Sequence, residues 1–575
     1  MKNRSSQQIS REAGETAPPW QWRGALERWA VPALAVAAGF LAGTASPSGG
    51  FPVGWVAVYV PLFLALDLLL RRAPAGLRSR ALWAKAFACC MTLGILQAAI
   101  NGAWVVNTAH VFGGLSLPMA HAANLLGYGS LFGVEAFFFL GLPFLMGRRR
   151  PRWGFMLLLC WATALQSYIP RFFAWTYGEF LHSSETLVQI SDIIGLEGLN
   201  VLVLSLHLVL FGWIREVYAP DHTARRTLIG ASAAVALLFM GAYVYGSWRI
   251  TDIDRATARG RPVNLVGIQP NFTLRDLASN PELTHSDRER SLSALIADTE
   301  QALARMREKP GAAGTPTLVV WPESVYPGMY FRDVRTRQAV DRWARGHGIH
   351  LVLTSITTSR SRTAGELRTR VFGSAIHVSP DGTPPQIYKK ITLIPFGERI
   401  PLAGVIPGLR EFMKSWIPRI AEFDAGEEYA VFDIAPGVRL APLICFDAIG
   451  ETVSRGMARN GANLGVVLAN LAWFGRTNVS DVFEFIVRLR AIEARMPFLM
   501  LSQNGRSMFF DATGRLASRR LGHYEADALT LQVRVPGTGS FFIRHQSWIH
   551  GAYALLLAAV LAWGVVRLRR AGRHG

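Results

Sequence analysis

Cysteine and charge are both in short supply. Four cysteines in 575 residues are too few for a disulfide scaffold. Three of them, Cys89, Cys90 and Cys160, fall inside apolar runs, where a small side chain fills space beside helix or lipid. Only 17% of the residues are charged while 50% are apolar, and a water-soluble chain of this size needs more charged surface than that. No internal repeat, no low-complexity tract and no metal-ligand spacing occurs. No cleavable signal peptide is expected: the first residues are polar and basic, the apolar stretch starts late, and further apolar runs follow. The formal net charge of +20 raises a nucleic-acid partner. The Lys and Arg residues instead crowd short loops between apolar runs, and no aromatic-basic platform exists, so no nucleic-acid partner is expected.

What is present is eight apolar runs, each near the roughly twenty residues that span a bilayer. They cover 29–47, 53–70, 82–106, 118–146, 153–170, 195–215, 227–247 and 549–567. The loops after the first and third runs hold no Lys or Arg, and the loop after the fifth holds only Arg171. Arg71, Arg72, Arg78 and Arg80 follow the second run; Arg148, Arg149, Arg150 and Arg152 follow the fourth. Arg215, Arg225 and Arg226 follow the sixth, and Arg567, Arg569, Arg570 and Arg573 the eighth. By the positive-inside rule both termini are cytoplasmic and the long segment between runs seven and eight lies outside. The expected organisation is a cytoplasmic tail over 1–28, seven transmembrane helices over 29–249, an external domain over 250–545, and an eighth helix with a second cytoplasmic tail over 546–575.

The external segment has the composition of a folded domain. Short β-branched runs at Val263–Ile268, Leu318–Val320, His350–Leu353 and Leu464–Leu468 read as strands. Apolar residues three to four apart predict helices over Arg288–Arg307 and Asp481–Arg495. Strands alternating with helices imply an α/β fold.

Three segments carry chemistry. Val319-Val320-Trp321-Pro322-Glu323 is a strand that ends in a proline and presents a carboxylate. Tyr388-Lys389-Lys390 runs on to Ile394-Pro395-Phe396-Gly397-Glu398, and Pro442-Leu443-Ile444-Cys445-Phe446-Asp447 delivers a thiol at the end of an apolar strand. Taken singly, each has a plain reading: a loop carboxylate, surface lysines, an inert core cysteine. Taken together, Glu, Lys and Cys supply the base, the oxyanion cation and the nucleophile of acyl transfer.

In this order the segments resemble the nitrilase superfamily, and more closely the membrane-anchored apolipoprotein N-acyltransferase family. That family's Trp-Pro-Glu, Tyr-x-Lys-x-x-Leu-x-Pro-Phe-Gly-Glu and Ile-Cys-Tyr-Glu all have counterparts here. Its Ala-Trp-Phe-Gly matches Ala472–Gly475, its Arg-Ala-x-Glu matches Arg490–Glu493, and Asn504-Gly505 matches its late Asn-x-Gly-type strand. Trp104-Val105 followed by Phe112-Gly113-Gly114 is similar to its third-span exit. The resemblance implies an α-helical membrane bundle with an inserted αββα nitrilase-like (CN hydrolase) sandwich. It implies Glu323 as general base, Lys390 as oxyanion cation, Cys445 as nucleophile and Glu398 as a second essential carboxylate. Phe396, Phe446, Trp473 and Phe474 are the expected substrate-binding aromatics.

The implied reaction moves the sn-1 acyl chain of a membrane phospholipid onto Cys445 as a thioester, then onto the α-amine of a diacylglyceryl-cysteine apolipoprotein. It needs no cofactor or metal. The expected setting is the bacterial inner membrane, multi-pass, with a periplasmic catalytic domain and a monomeric enzyme.

Several positions depart from the family pattern. Phe446 and Asp447 replace Tyr-Glu, Leu471 replaces an acid, Ser480 a proline, Val482-Phe483 a Gln-His pair, and Met496-Pro497 an Arg-Pro. These departures leave the three catalytic residues in place and put the acceptor in question. The alternative reading is a divergent paralogue that acylates or hydrolyses another amine or amide substrate at the membrane.

Overall fold

The computed structural model describes residues 19–46, 50–73, 76–147, 151–169, 176–272, 284–363, 366–401, 403–416, 422–537 and 539–571. Residues 1–18 of the expected tail and the loop arginines Arg148, Arg149, Arg150, Arg171 and Arg573 lie outside the described residues. Apolar helices occupy both ends of the chain, with an α/β domain between them.

Six segments are long and apolar enough to cross a membrane: Val53–Arg71, Arg80–Asn101, Leu117–Gly147, Leu187–Tyr218, Ala224–Ala258 and Phe541–Val566. The expected count of eight is therefore not reached on length and composition among the described residues. The first expected span lies within the helix Pro19–Thr44, whose apolar stretch is Trp29–Thr44. The fifth is the helix Pro151–Tyr168, and its neighbours explain its lower apolarity. It packs against Leu142–Gly147, Ser191–Tyr218 and Phe541–Ala571, so Thr163 and Gln166 are buried against protein. Asn200 Nδ2 donates to Gln166 Oε1 at 2.7 Å, and a helix surrounded by protein can carry such groups. Small residues let the bundle close: a Cβ on Gly94 would stand 2.3 Å from the backbone nitrogen of Gly133 on the neighbouring helix.

The described residues of the domain hold eleven strands: β1 (Arg261–Gln269), β2 (Thr317–Val320), β3 (His350–Thr363), β4 (Glu366–Val378), β5 (Gln386–Lys389), β6 (Phe432–Ala435), β7 (Val438–Ile444), β8 (Leu464–Ala469), β9 (Phe498–Ser502), β10 (Met508–Phe510) and β11 (Asp527–Val535). They form two sheets, ordered β11-β1-β2-β3-β4-β5 and β10-β9-β8-β7-β6. β1, β2 and β3 run parallel, as do β7, β8 and β9.

Strand alternation sorts the side chains into layers. Leu265, Leu318, Val320, Val352 and Ala375 join the core shared with the second sheet. Their neighbours Val266, Val319, Leu351 and Ile376 point the other way, onto the helices His285–Arg307 and Val334–Gly346. The second sheet is covered by the helices Glu451–Arg459 and Val479–Ala494, whose apolar residues belong to the same core as Leu196, Leu199 and Val203 of the membrane helix Ser191–Tyr218. The result is an αββα sandwich whose second helical layer is also its seat on the bundle. Each Leu, Val or Phe fully buried in it contributes roughly 1.5–3 kcal/mol. All four expected strands lie within observed ones, and both expected helices are present, as His285–Arg307 and Val479–Ala494.

Candidate active site

The ends of β2, β5, β7 and β8 converge between the sheets. At the end of β2, the Trp321 N–H donates to Val352 O at 2.9 Å and its indole N–H to Thr299 Oγ1 at 3.0 Å. Pro322 has no N–H to continue the ladder, and Glu323 follows it into the inter-sheet space. Ser324, at φ 66, turns the chain away and donates its N–H to Thr354 Oγ1 at 3.0 Å.

At the end of β7, Cys445 takes φ 46 and opens a short 3₁₀ turn, Cys445–Ala448. A non-glycine residue held there costs on the order of 1–3 kcal/mol and persists only when its surroundings fix it. Asp447 does the fixing. Its carboxylate accepts the Tyr388 hydroxyl (2.8 Å), the Thr392 N–H (2.7 Å) and the Ile444 N–H (3.1 Å).

Register decides between the two lysines that end β5. Tyr388 and Lys390 point inward on alternate residues and are buried. Lys389 points out, with Nζ 4.4 Å from the centre of the Phe372 ring. Lys390 Nζ stands 2.7 Å from Glu398 Oε1 and 3.5 Å from Glu323 Oε1. The second Glu398 oxygen accepts the Ile394 N–H at 2.8 Å, which holds that carboxylate in place.

The Cys445 thiol lies beside the Glu323 carboxylate, close enough for each to shift the other's protonation, and Glu323 Oε2 accepts the Asn470 N–H at 3.0 Å. Thiol, two carboxylates and one ammonium thus share one buried site. Burial, aided by Glu398, raises the Glu323 carboxyl above its ordinary range against the pull of Lys390. Burial and the Glu323 charge raise the Cys445 thiol well above its usual value. Burial alone would lower Lys390; Glu398 and Glu323 overcome it and keep the ammonium charged. Burial pushes Asp447 up to about 6. The resting arrangement is therefore a protonated thiol beside a base, with a fixed cation next to both.

The four expected aromatics are spread around this centre. Phe446 is buried directly after Cys445, and Phe396, at φ 62, is exposed. Trp473 and Phe474 sit in the turn Ala472–Gly475, which rests on the membrane part. The Trp473 ring meets Phe112 edge-on at 4.7 Å and Phe474 meets Trp104 at 5.7 Å. Asn107 Nδ2 and Thr108 Oγ1 both donate to Trp473 O at 3.4 Å. Gly475 closes the turn at φ 63, and a Cβ there would stand 2.9 Å from Asn107 Nδ2. The two motifs Trp104–Gly114 and Ala472–Gly475 are therefore in direct contact. Leu471, Val482 and Phe483 are buried in the main core.

Sequence reasoning missed two groups in this cluster: the Asn470 backbone N–H, which leaves no mark in residue type, and the Tyr388–Asp447 pair. The second could have been found from the Tyr-x-Lys spacing, which puts Tyr388 on the Lys390 side of β5. Among the described residues no group of three or more His, Cys, Asp or Glu side chains is placed to hold a metal ion.

Residues 279–541 match the carbon-nitrogen hydrolase family. Along nearly its whole length the chain is similar to proteins named apolipoprotein N-acyltransferase. That of Geobacter metallireducens is 27% identical over 92% of this chain and 94% of its own. That of Azotobacter vinelandii is 28% identical over 95% and 96%, and that of Brucella melitensis 25% identical over 98% and 100%. Among solved structures, a carbon-nitrogen hydrolase from Helicobacter pylori is 15% identical, with a TM-score of 0.34 over 52% of this chain and 94% of that one. An amidase from Nesterenkonia sp. is 18% identical, with a TM-score of 0.34 over 51% and 96%.

Proposed function

We propose that the protein, whose residues 279–541 match the carbon-nitrogen hydrolase family, is a membrane acyltransferase that completes the N-terminal acylation of bacterial lipoproteins. One observation carries the reading: Cys445, Glu323 and Lys390 meet in a single buried site whose flanking turn, Trp473-Phe474, rests on Trp104 and Phe112, between the apolar helices Arg80–Asn101 and Leu117–Gly147. The donor is a phospholipid and the acceptor a diacylglyceryl-cysteine apolipoprotein. Both are lipid-anchored, and drawing an acyl chain through water costs about 0.8 kcal/mol per CH₂, which accounts for a hydrolase-like domain mounted on apolar helices.

In the first half-reaction Glu323 takes the Cys445 proton as sulfur attacks the ester carbonyl. Lys390 stabilises the oxyanion, held in place by Glu398. The C–O bond to glycerol breaks, Glu323 returns the proton to the departing alkoxide, and lysophospholipid leaves a thioester on Cys445. In the second, Glu323 removes a proton from the acceptor amine as it attacks the thioester. The C–S bond breaks and the proton passes back to the sulfur, leaving an amide and a free thiol. The cation and the base serve both halves without reorganisation.

Mass spectrometry of a lipoprotein N-terminus, in cells whose only such activity is this protein, tests the reading. A triacylated N-terminus is expected; a diacylated one with a free amine contradicts it. The Arg-rich loops support a periplasmic domain at the inner membrane. A reporter fused near residue 400 should therefore be active outside the cytoplasm, and cytoplasmic activity of that fusion would reverse the orientation.

A further inference from the structure

Two carboxylates on one membrane helix grip the catalytic domain. Asp192 and Glu197 lie at the outer end of Ser191–Tyr218, on either side of Gly195, where the backbone breaks at φ 69. Both are buried, with 1% exposure each. Asp192 accepts Arg495 Nε at 2.8 Å, Arg249 Nε at 2.7 Å and the Tyr245 hydroxyl at 2.7 Å. Glu197 takes Arg455 in a two-pronged pair, Nη1 to Oε1 and Nη2 to Oε2, both at 3.0 Å. The same guanidinium reaches Glu493 at 2.6 Å and 3.1 Å, and Glu493 accepts the Leu196 N–H at 3.2 Å. Arg455 also stacks 4.8 Å over the Phe542 ring, which fills the space beside Gly195.

Arg455 lies on the helix Glu451–Arg459, which follows the Cys445 turn, and Glu493 on Val479–Ala494, which follows the Trp473 turn. Arg495 caps that second helix in the left-handed region, at φ 54. The ion pairs therefore join the helix after each turn of the site to one membrane helix. Paired two-pronged contacts fix an angle as well as a distance, and a lysine cannot reproduce them.

We propose that Asp192 and Glu197 form a socket that sets the angle at which the active site faces the bilayer, and that Arg455 is a positioning residue for the acyl-donor step. The inference rests on the reading that Cys445 draws its acyl group from phospholipid. A reacting group misplaced by about 1 Å loses on the order of 10²-fold in rate, whereas a small water-soluble reagent needs no such alignment.

The test uses the full chain in phospholipid–detergent micelles, comparing the unchanged protein with Glu197→Gln, Arg455→Gln and Arg455→Lys. Two rates are read at Cys445 by peptide mass spectrometry: thioester formation from phospholipid, and alkylation by iodoacetamide. The two glutamine variants should lose on the order of 10–100-fold in the first while the second stays near that of the unchanged protein, and Arg455→Lys should fall between. Equal loss of both rates overturns the socket, and so does faster alkylation, which a folding defect produces by exposing the buried Cys445 thiol. So does retention of both. An unchanged protein that forms no thioester overturns the functional reading and the socket with it.

Discussion

The backbone N–H of Asn470 donates to Glu323 Oε2 at 3.0 Å, tying the end of β8 in one sheet to the residue that follows β2 in the other. Glu323 is thus held by the strand next to the one that delivers Cys445. The site exists only because the two sheets face each other in this register. It lies at the carboxyl ends of parallel strands, where side chains are free of ladder pairing and open α/β folds place their ligands.

Cys445→Ala should form no acyl-enzyme with phospholipid, because neither a methyl group nor a neighbouring residue replaces the thiol. Glu323→Gln should keep the thiol but slow acylation on the order of 10²–10⁴-fold, the usual worth of a positioned general base. Intact-mass measurement after a single turnover reads both. A thioester-sized mass gain at undiminished rate in the alanine variant would remove Cys445 from the mechanism.

Lys390→Met should slow acylation on the order of 10²–10³-fold, the loss for one oxyanion donor. Lys389→Met should change it little, since its ammonium packs on Phe372 at the surface of β5. Single-turnover rates of the two variants side by side settle the register. A larger loss at Lys389 would mean that the strand is read one residue out.

The raised carboxyl of Glu323 predicts an acid limb. Its unprotonated form is the active one, so acylation should fall as pH drops through a value above the ordinary 4.5, and Glu323→Gln should flatten that limb. Asp447 acts on stability instead. Pushed up from 3.8 to about 6, it keeps its proton in the folded state where the unfolded chain has lost it. Between those two values the folded protein binds the extra proton, so stability falls as pH rises through the window, by about 3 kcal/mol in all. Melting of the protein in detergent between pH 7 and pH 4 should show this slope, reduced in Asp447→Asn. An unchanged slope in that variant would assign it to other groups.

Much of the site was readable because each reactive residue follows an apolar strand run: Val319-Val320 before Glu323, Leu443-Ile444 before Cys445. Alternation along β5 then separates Lys390 from Lys389. The Asn470 donor was not readable, since a backbone N–H leaves no mark in residue type. Nor was the grip of Glu197 on Arg455, partners 258 residues apart, one of them inside a run that reads as apolar. The hairpin β3–β4 extends through Ser359-Arg360-Ser361-Arg362, whose polarity disguises strand. The helix Pro151–Tyr168 falls short of the other spans because protein, not lipid, surrounds its polar face.

The last prediction concerns Leu471, which stands where the acyltransferase family pattern has an acid. An apolar residue beside the site removes a hydrogen-bonding partner for a polar acceptor, which would slow the second half-reaction alone. Its packing favours another role. Leu471 is buried at 2% exposure, and a Cβ on Gly505 would stand 2.7 Å from its Cδ1. It also follows Asn470, whose N–H orients Glu323. A carboxylate in that apolar space lacks a partner and costs several kcal/mol or titrates to the neutral form. Leu471→Asp should therefore shift Asn470 and slow thioester formation and transfer to a diacylglyceryl-cysteine peptide alike. The two half-reactions measured separately decide it: faster transfer at unchanged acylation would make Leu471 a determinant of the acceptor and mark the chain as a paralogue with a different amine substrate.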